Sequence, residues 1–199
     1  MRPVPVVVVA GSQFACALSS AHRADCWGYD ADQELGDGAH HNRSSPRPVL
    51  QLVAAAQIST GWASSCAVLT SGAVECWGSD RYGQLGNAIQ QPSSLPTAVH
   101  GLARAKDVRV GGYSACALLV SRRVVCWGQG NEGELGDGKL TVSTTPTAVS
   151  GLKSITSLSV GFAHACAIRR DGALFCWGDN TQGETLGSGP HRPRRSLCA

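Results

Sequence analysis

Cys66-Ala67-Val68-Leu69-Thr70-Ser71-Gly72-Ala73-Val74-Glu75-Cys76-Trp77-Gly78 is the stretch from which the architecture is read. Two runs of small and apolar residues flank Thr70-Ser71-Gly72, a turn composition, so the segment reads as a β-hairpin. Its ending returns at Cys26-Trp27-Gly28, Cys126-Trp127-Gly128 and Cys176-Trp177-Gly178, 50 residues apart each time, and Cys16, Cys66, Cys116 and Cys166 stand ten positions ahead. A fixed period of this length marks an array of one repeated unit.

Working outward, a short strand ending at Gly61 precedes the hairpin, and a polar loop follows it to Gly83-Gln84-Leu85-Gly86. Pro96-Thr97-Ala98-Val99 then supplies a fourth strand. No window shows a helical apolar stripe, and four short strands per unit predict an all-β fold, a β-propeller of four-stranded blades. One repeat domain spans 1–199, with repeats 1–56, 57–106, 107–156 and 157–199. The segment Gly189–Arg195 does not look like Pro146-Thr147-Ala148-Val149, so the last repeat is expected to be incomplete.

Blades that stack need two apolar faces. Side chains alternate along a strand, so Cys66 and Val68 face one way, Ala67 and Leu69 the other, and Trp77 opposes Cys76. Trp27, Trp77, Trp127 and Trp177 are therefore read as blade-to-blade packing groups, with Trp62 outside that column. Gly11, Gly61, Gly111 and Gly161 mark strand ends where a Cβ would obstruct a conformation or a contact. Leu35-Gly36, Leu85-Gly86 and Leu135-Gly136 read as an apolar plug and a tight bend. Thr185 reads as an insertion in the fourth copy, and Gln33 replaces a recurring glycine in the first.

A hairpin centred on Ser71 sets Cys66 opposite Cys76, and the same register pairs Cys16 with Cys26, Cys116 with Cys126 and Cys166 with Cys176. Opposed residues of a non-hydrogen-bonded pair lie within reach of a disulfide. Four cross-strand disulfides are the sharp reading, and eight reduced cysteines serving as small buried hydrophobes are the other. Two ligands per hairpin and no CxxC pair disfavour zinc. Cys198, the ninth cysteine, lies outside the pattern. His22 and Arg122 occupy the turn position where Gly72 and Gly172 suit a left-handed residue.

The totals exclude several classes. Net charge is +3, and Arg192, Arg194 and Arg195 account for it, which is a basic tail and not a nucleic-acid face. No stretch approaches the ~20 apolar residues of a membrane span. The apolar start aligns in register with later first strands, so it reads as a strand and not a leader. If the protein is exported, its targeting segment is absent from this chain.

Gly161-Phe162-Ala163-His164-Ala165-Cys166-Ala167-Ile168, then Asp171-Gly172 and Cys176-Trp177-Gly178-Asp179-Asn180, resembles the repeat of the regulator of chromosome condensation family. The Cys-Ala and Cys-Trp-Gly pattern resembles its bacterial alpha-tubulin suppressor-like members. The resemblance implies a seven-bladed propeller of about 350 residues, of which four repeats form an incomplete arc with apolar faces open to self-association or a partner. It also implies that His164 stands where the family commonly has histidine.

No catalytic, cofactor or metal site emerges. Gly128-Gln129-Gly130-Asn131-Glu132-Gly133 matches a dinucleotide fingerprint but opens no helix, and Asp30–Glu34 has Leu35 where a calcium loop needs glycine. The chain reads as a non-enzymatic scaffold that binds another protein through the loops Asp30–Ser45, Asp80–Leu95 and Gly130–Thr145, which differ among copies. Resemblance implies protein partners, among them beta-lactamases for one secreted relative, and, as an alternative, guanine-nucleotide exchange on a small GTPase. A carbohydrate-binding module would use exposed aromatics, for which Trp62, Tyr29, Tyr82 and Tyr113 are candidates. Disulfides in every blade point to an extracellular or cell-surface setting; reduced cysteines would point to the cytoplasm.

Overall fold

A computed structural model describes residues 4–185, together with the backbone of a last strand, 194–198. Four sheets follow one another, each a four-stranded antiparallel meander in chain order. The first blade comprises β1 (Pro5–Ala10), β2 (Phe14–Ser19), β3 (Ala24–Gly28) and β4 (Arg43–Pro48). The second has β5 (Ala55–Thr60), β6 (Ser64–Leu69), β7 (Val74–Gly78) and β8 (Ser93–Ala98). The third has β9 (Ala105–Val110), β10 (Ser114–Leu119), β11 (Val124–Gly128) and β12 (Ser143–Ala148). The fourth has β13 (Ile155–Val160), β14 (His164–Arg169), β15 (Leu174–Gly178) and β16 (Arg194–Cys198).

The fourth blade thus has the outer strand that the sequence reading denied it. β16 pairs with β15, setting Cys176 opposite Cys198 and Gly178 opposite Arg194. In the third blade Gly128 faces Ser143, so the last strand lies one residue further along than its counterparts. Pairing uses backbone amides and carbonyls only. A strand of different side chains therefore fills the place, and Cys198 falls within the repeat instead of outside it. The side chains of this tail, including the basic Arg192, Arg194 and Arg195, lie outside the described residues.

The inner strands β1, β5, β9 and β13 lie side by side, and each blade packs on the next. One face of the second blade, with Cys66, Val68, Val74, Cys76 and Leu85, meets Ala105, Val108, Ala115, Ala117 and Trp127 of the third. The same two kinds of face meet between the first and second blades and between the third and fourth. The row does not close. Val8 on the outer side of the first blade is 64% exposed, whereas its counterparts Ile58 and Val108 are 2% and 0%. Ile168 and Leu174 on the far side of the fourth are likewise exposed. Four blades form an arc of a propeller, with apolar residues on both open faces.

Each inner tryptophan crosses to the blade before it. The indole N–H of Trp77 donates to the Glu34 carbonyl, that of Trp127 to Gln84 and that of Trp177 to Glu134, all at 2.8 Å. Trp27 is only half-buried. The bend glycines fit around these rings: a Cβ on Gly86, whose φ is +66°, would come within 2.8 Å of the Trp127 indole nitrogen. Leu35, Leu85 and Leu135 fill the plug between loop and sheet. In the fourth copy Thr185 itself takes the leucine place, since its N–H donates to Asn180 Oδ1 as those of Leu35 and Leu85 donate to Asp30 and Asp80. Thr185 is fully buried, and its hydroxyl has no partner among the described residues. The extra residue of that copy therefore follows Thr185.

The hairpins set the cysteines in direct opposition, and four disulfides join them: Cys16–Cys26, Cys66–Cys76, Cys116–Cys126 and Cys166–Cys176, with Cα atoms 4.0–4.1 Å apart. All four turns carry a left-handed residue: Gly72 (φ +87°), Gly172 (+89°), His22 (+59°) and Arg122 (+61°). In the first three blades the carbonyl of that residue accepts the N–H that opens the next blade, Ala55 to His22, Ala105 to Gly72 and Ile155 to Arg122. The turn conformation is thus part of the blade-to-blade bonding, and two bulky residues adopt it.

Candidate functional site

Because Phe14 pairs with Gly28, the β1–β2 turn and the β3–β4 loop emerge at the same end of a blade. This loop end gathers turns 11–13, 61–63, 111–113 and 161–163 with the loops that vary among copies. The opposite end, called the turn end, carries the hairpin turns and the connections between blades.

Close backbone approach organises the loop end near the arc's axis. The Ser12 N–H donates to the Gly61 carbonyl at 3.2 Å, Trp62 N–H to Gly111 at 3.1 Å and Gly112 N–H to Phe162 at 2.9 Å. A Cβ on Gly61 would strike the Gly111 carbonyl, and one on Gly111 the Gly161 carbonyl. Gly161 instead lies under the His164 ring, 2.6 Å from a Cβ placed on it, so His164 packs on the turn. Gln57 adds a bridge that no repeat position advertised: its amide donates to the Val108 carbonyl at 2.9 Å and accepts from the Val108 N–H at 3.3 Å.

The loops are held by buried acids and amides. Asp30 accepts the N–H groups of Leu35 and His41 through its two oxygens, at 3.0 and 3.1 Å. Glu34, Gln84, Glu134 and Glu184 accept from Asp32, Tyr82, Glu132 and Gln182 at 2.8–2.9 Å. Burial pushes the Glu34 carboxyl up to about 7 and that of Asp80 up to about 6, and raises Asp30 and Glu134 as well. These groups face backbone amides of their own loops, which is structural work. The Gly128–Gly133 segment leaves β11 and enters such a loop, and a Cβ on Gly130 would strike the Thr141 carbonyl.

An aromatic row lies across this end. The rings of Trp62 and Phe162 meet edge-on with centroids 5.5 Å apart, Phe162 meets Tyr113 at 5.8 Å, and Tyr113 meets Tyr82 at 5.0 Å. Trp62 and Phe162 are 49% and 55% exposed. Three of the four aromatics singled out in the sequence come together here, while Tyr29 on the first blade makes no ring contact with them. Phe162 escaped the reading. It occupies the same place after its repeat glycine as Trp62, two units on, and that coincidence was the available signal.

These blades, with their tryptophan cross-links and glycine-lined axis, define a repeat propeller. Two models of the regulator of chromosome condensation (RCC1) repeat match the chain, one over 55–84 and 155–184, the other over 71–118 and 123–168. The chain belongs to the RCC1 repeat family. No curated protein sequence matches it significantly. Among solved structures, human WBSCR16 is similar over 100% of this chain and 53% of its own, at 25% identity and a TM-score of 0.89. Prp20p of Saccharomyces cerevisiae is similar over 99% and 50% at 16% identity and 0.88. The ectodomain of the Physcomitrella patens receptor kinase CR4 is similar over 94% and 45% at 24% identity and 0.61. The chain spans about half the length of the first two.

Proposed function

We propose that the protein is a non-enzymatic propeller scaffold that binds another protein at its loop end. The observation that carries this reading is the row Trp62–Phe162–Tyr113–Tyr82, its first two rings exposed and its two tyrosines half-buried, set among the loops that differ from copy to copy. Large rigid aromatics on a fixed frame bury much area at small entropic cost, and such residues dominate protein interfaces. The row is built from three blades, so the frame holds the spacing of its rings. The disulfides of all four blades support an extracellular or cell-surface setting.

A photo-crosslinking residue in place of Phe162, in the cells that make the protein, should capture a discrete protein, and Trp62→Ala should abolish the capture. Capture no stronger than from a crosslinker placed on the turn end would overturn the reading. Nucleotide exchange on a small GTPase, which the family resemblance implies, is the second reading; Prp20p, similar in fold, is described for its binding to Gsp1p and histones. Accelerated nucleotide release from a captured GTPase would favour it. Capture of glycans alone, lost with Trp62→Ala, would favour a carbohydrate-binding module.

A further inference from the structure

The turn end carries a second, chemically different surface. Two adjoining hollows, of about 170 and 140 Å³, share Leu119 at the junction of the third and fourth blades. Their floors are aliphatic, with Leu118 and Ile155 in one and Val124 and Leu152 in the other, while Lys106 and Arg122 line the first and Arg123 and Lys153 the second. All four cations are exposed, and none meets a carboxylate among the described residues. Val120, 59% exposed, stands beside them.

This surface is not part of the repeat frame. Where the third blade has Val120-Ser121-Arg122-Arg123, the second has Thr70-Ser71-Gly72-Ala73 and the fourth Arg170-Asp171-Gly172-Ala173; the first, Ser20-Ala21-His22-Arg23, shares the arginine but has no lysine at the places of Lys106 and Lys153. Arg122 holds φ +61° where two blades use glycine. A bulky residue in the left-handed region is locally costly, and so is gathering like charges at the rim of an apolar hollow. Neither feature serves the blade-to-blade bond, since the Ile155 N–H is accepted by the Arg122 carbonyl, which glycine would supply equally.

We propose that these hollows bind a peptide segment of a partner protein in which an apolar side chain is flanked by carboxylates. The aliphatic floor takes the apolar side chain, and the rim of two arginines and two lysines takes the acids, with the guanidinium groups able to bind carboxylates in pairs. A nucleic acid offers phosphates to such a rim but nothing for the floor. The site lies on the opposite end from the aromatic row and stands independently of it.

Fluorescence anisotropy of a labelled peptide Glu-Glu-Asp-Leu-Asp-Glu-Glu with the full chain tests this. Saturable binding is expected, weakened about tenfold when serine replaces the leucine and about tenfold when salt rises from about 50 mM to about 200 mM. Arg122→Gly should weaken binding about tenfold while the melting temperature holds or rises, because glycine suits that turn. Arg123→Ala, at a position with no special backbone conformation, should weaken it as well. Absence of binding, binding indifferent to both variants, or equal affinity for a DNA duplex or for phosphatidylserine vesicles would overturn the proposal.

Discussion

Glu34 and Gln84 occupy the same place in successive blades and make the same bond, accepting the N–H of Asp32 or Tyr82 at 2.9 Å. They differ in what burial does to them. The glutamate is desolvated, and its carboxyl rises from 4.5 to about 7. A carboxyl whose folded value is raised holds a proton longer in the native state than in the unfolded one. Stability is then greatest below pH 4.5 for this group and declines as pH rises through about 7; Asp80, raised to about 6, acts in the same sense. Glu34→Gln, which installs the residue of the second blade, should flatten that decline and add about 1–2 kcal/mol at pH 8, read from urea unfolding at several pH values. At this scale the sequence was legible in part. The Asp30–Glu34 run reads as a calcium loop spoiled by Leu35, whereas the amides that each oxygen faces follow from the loop's path.

At the scale of the element, the hairpin is the best-read unit. A turn centred on one residue forces the two cysteines into opposition, and β2–β3, β6–β7, β10–β11 and β14–β15 all show that register. Each disulfide closes a short loop, so replacing Cys116 and Cys126 with alanine should cost about 2–3 kcal/mol. Alkylation of the unreduced, denatured protein should label a single cysteine of the nine, Cys198, in an intact mass spectrum. Labelling of all nine would return the chain to a reduced compartment. The outer strand β16 was the element misread. Its residues differ from Pro146-Thr147-Ala148-Val149, but an edge strand joins its sheet through the backbone.

For the whole molecule, coupling between blades decides stability, as in other repeat arrays where each unit contacts its neighbours. Trp127→Phe removes a buried N–H donor and strands the Gln84 carbonyl, so it should cost about 1–3 kcal/mol. Trp27→Phe, at a half-buried ring with no such bond among the described residues, should cost a few tenths of that in the same denaturant titration. Charge is also partitioned at this scale. Asp30, Asp32, Glu34, Asp37 and Asp80 lie at the loop end, whereas Arg104, Lys106, Arg122, Arg123 and Lys153 lie at the turn end, so a net charge of +3 conceals two poles.

The sequence by itself determined the repeat, the strand order within a blade, the cysteine register and the two faces on which blades stack. Each follows from a period, either two residues along a strand or fifty along the chain, and a period survives without coordinates. Tertiary structure alone decided which departures from the period meet. Trp62 and Tyr82 of the second blade meet Tyr113 of the third and Phe162 of the fourth, while Lys106, Arg122 and Arg123 of the third blade share a surface with Lys153 and Ile155, where the chain enters the fourth. Strand pairing within a blade and stacking between blades bring residues distant in the chain onto one surface, and it is among such residues that both candidate binding surfaces arise.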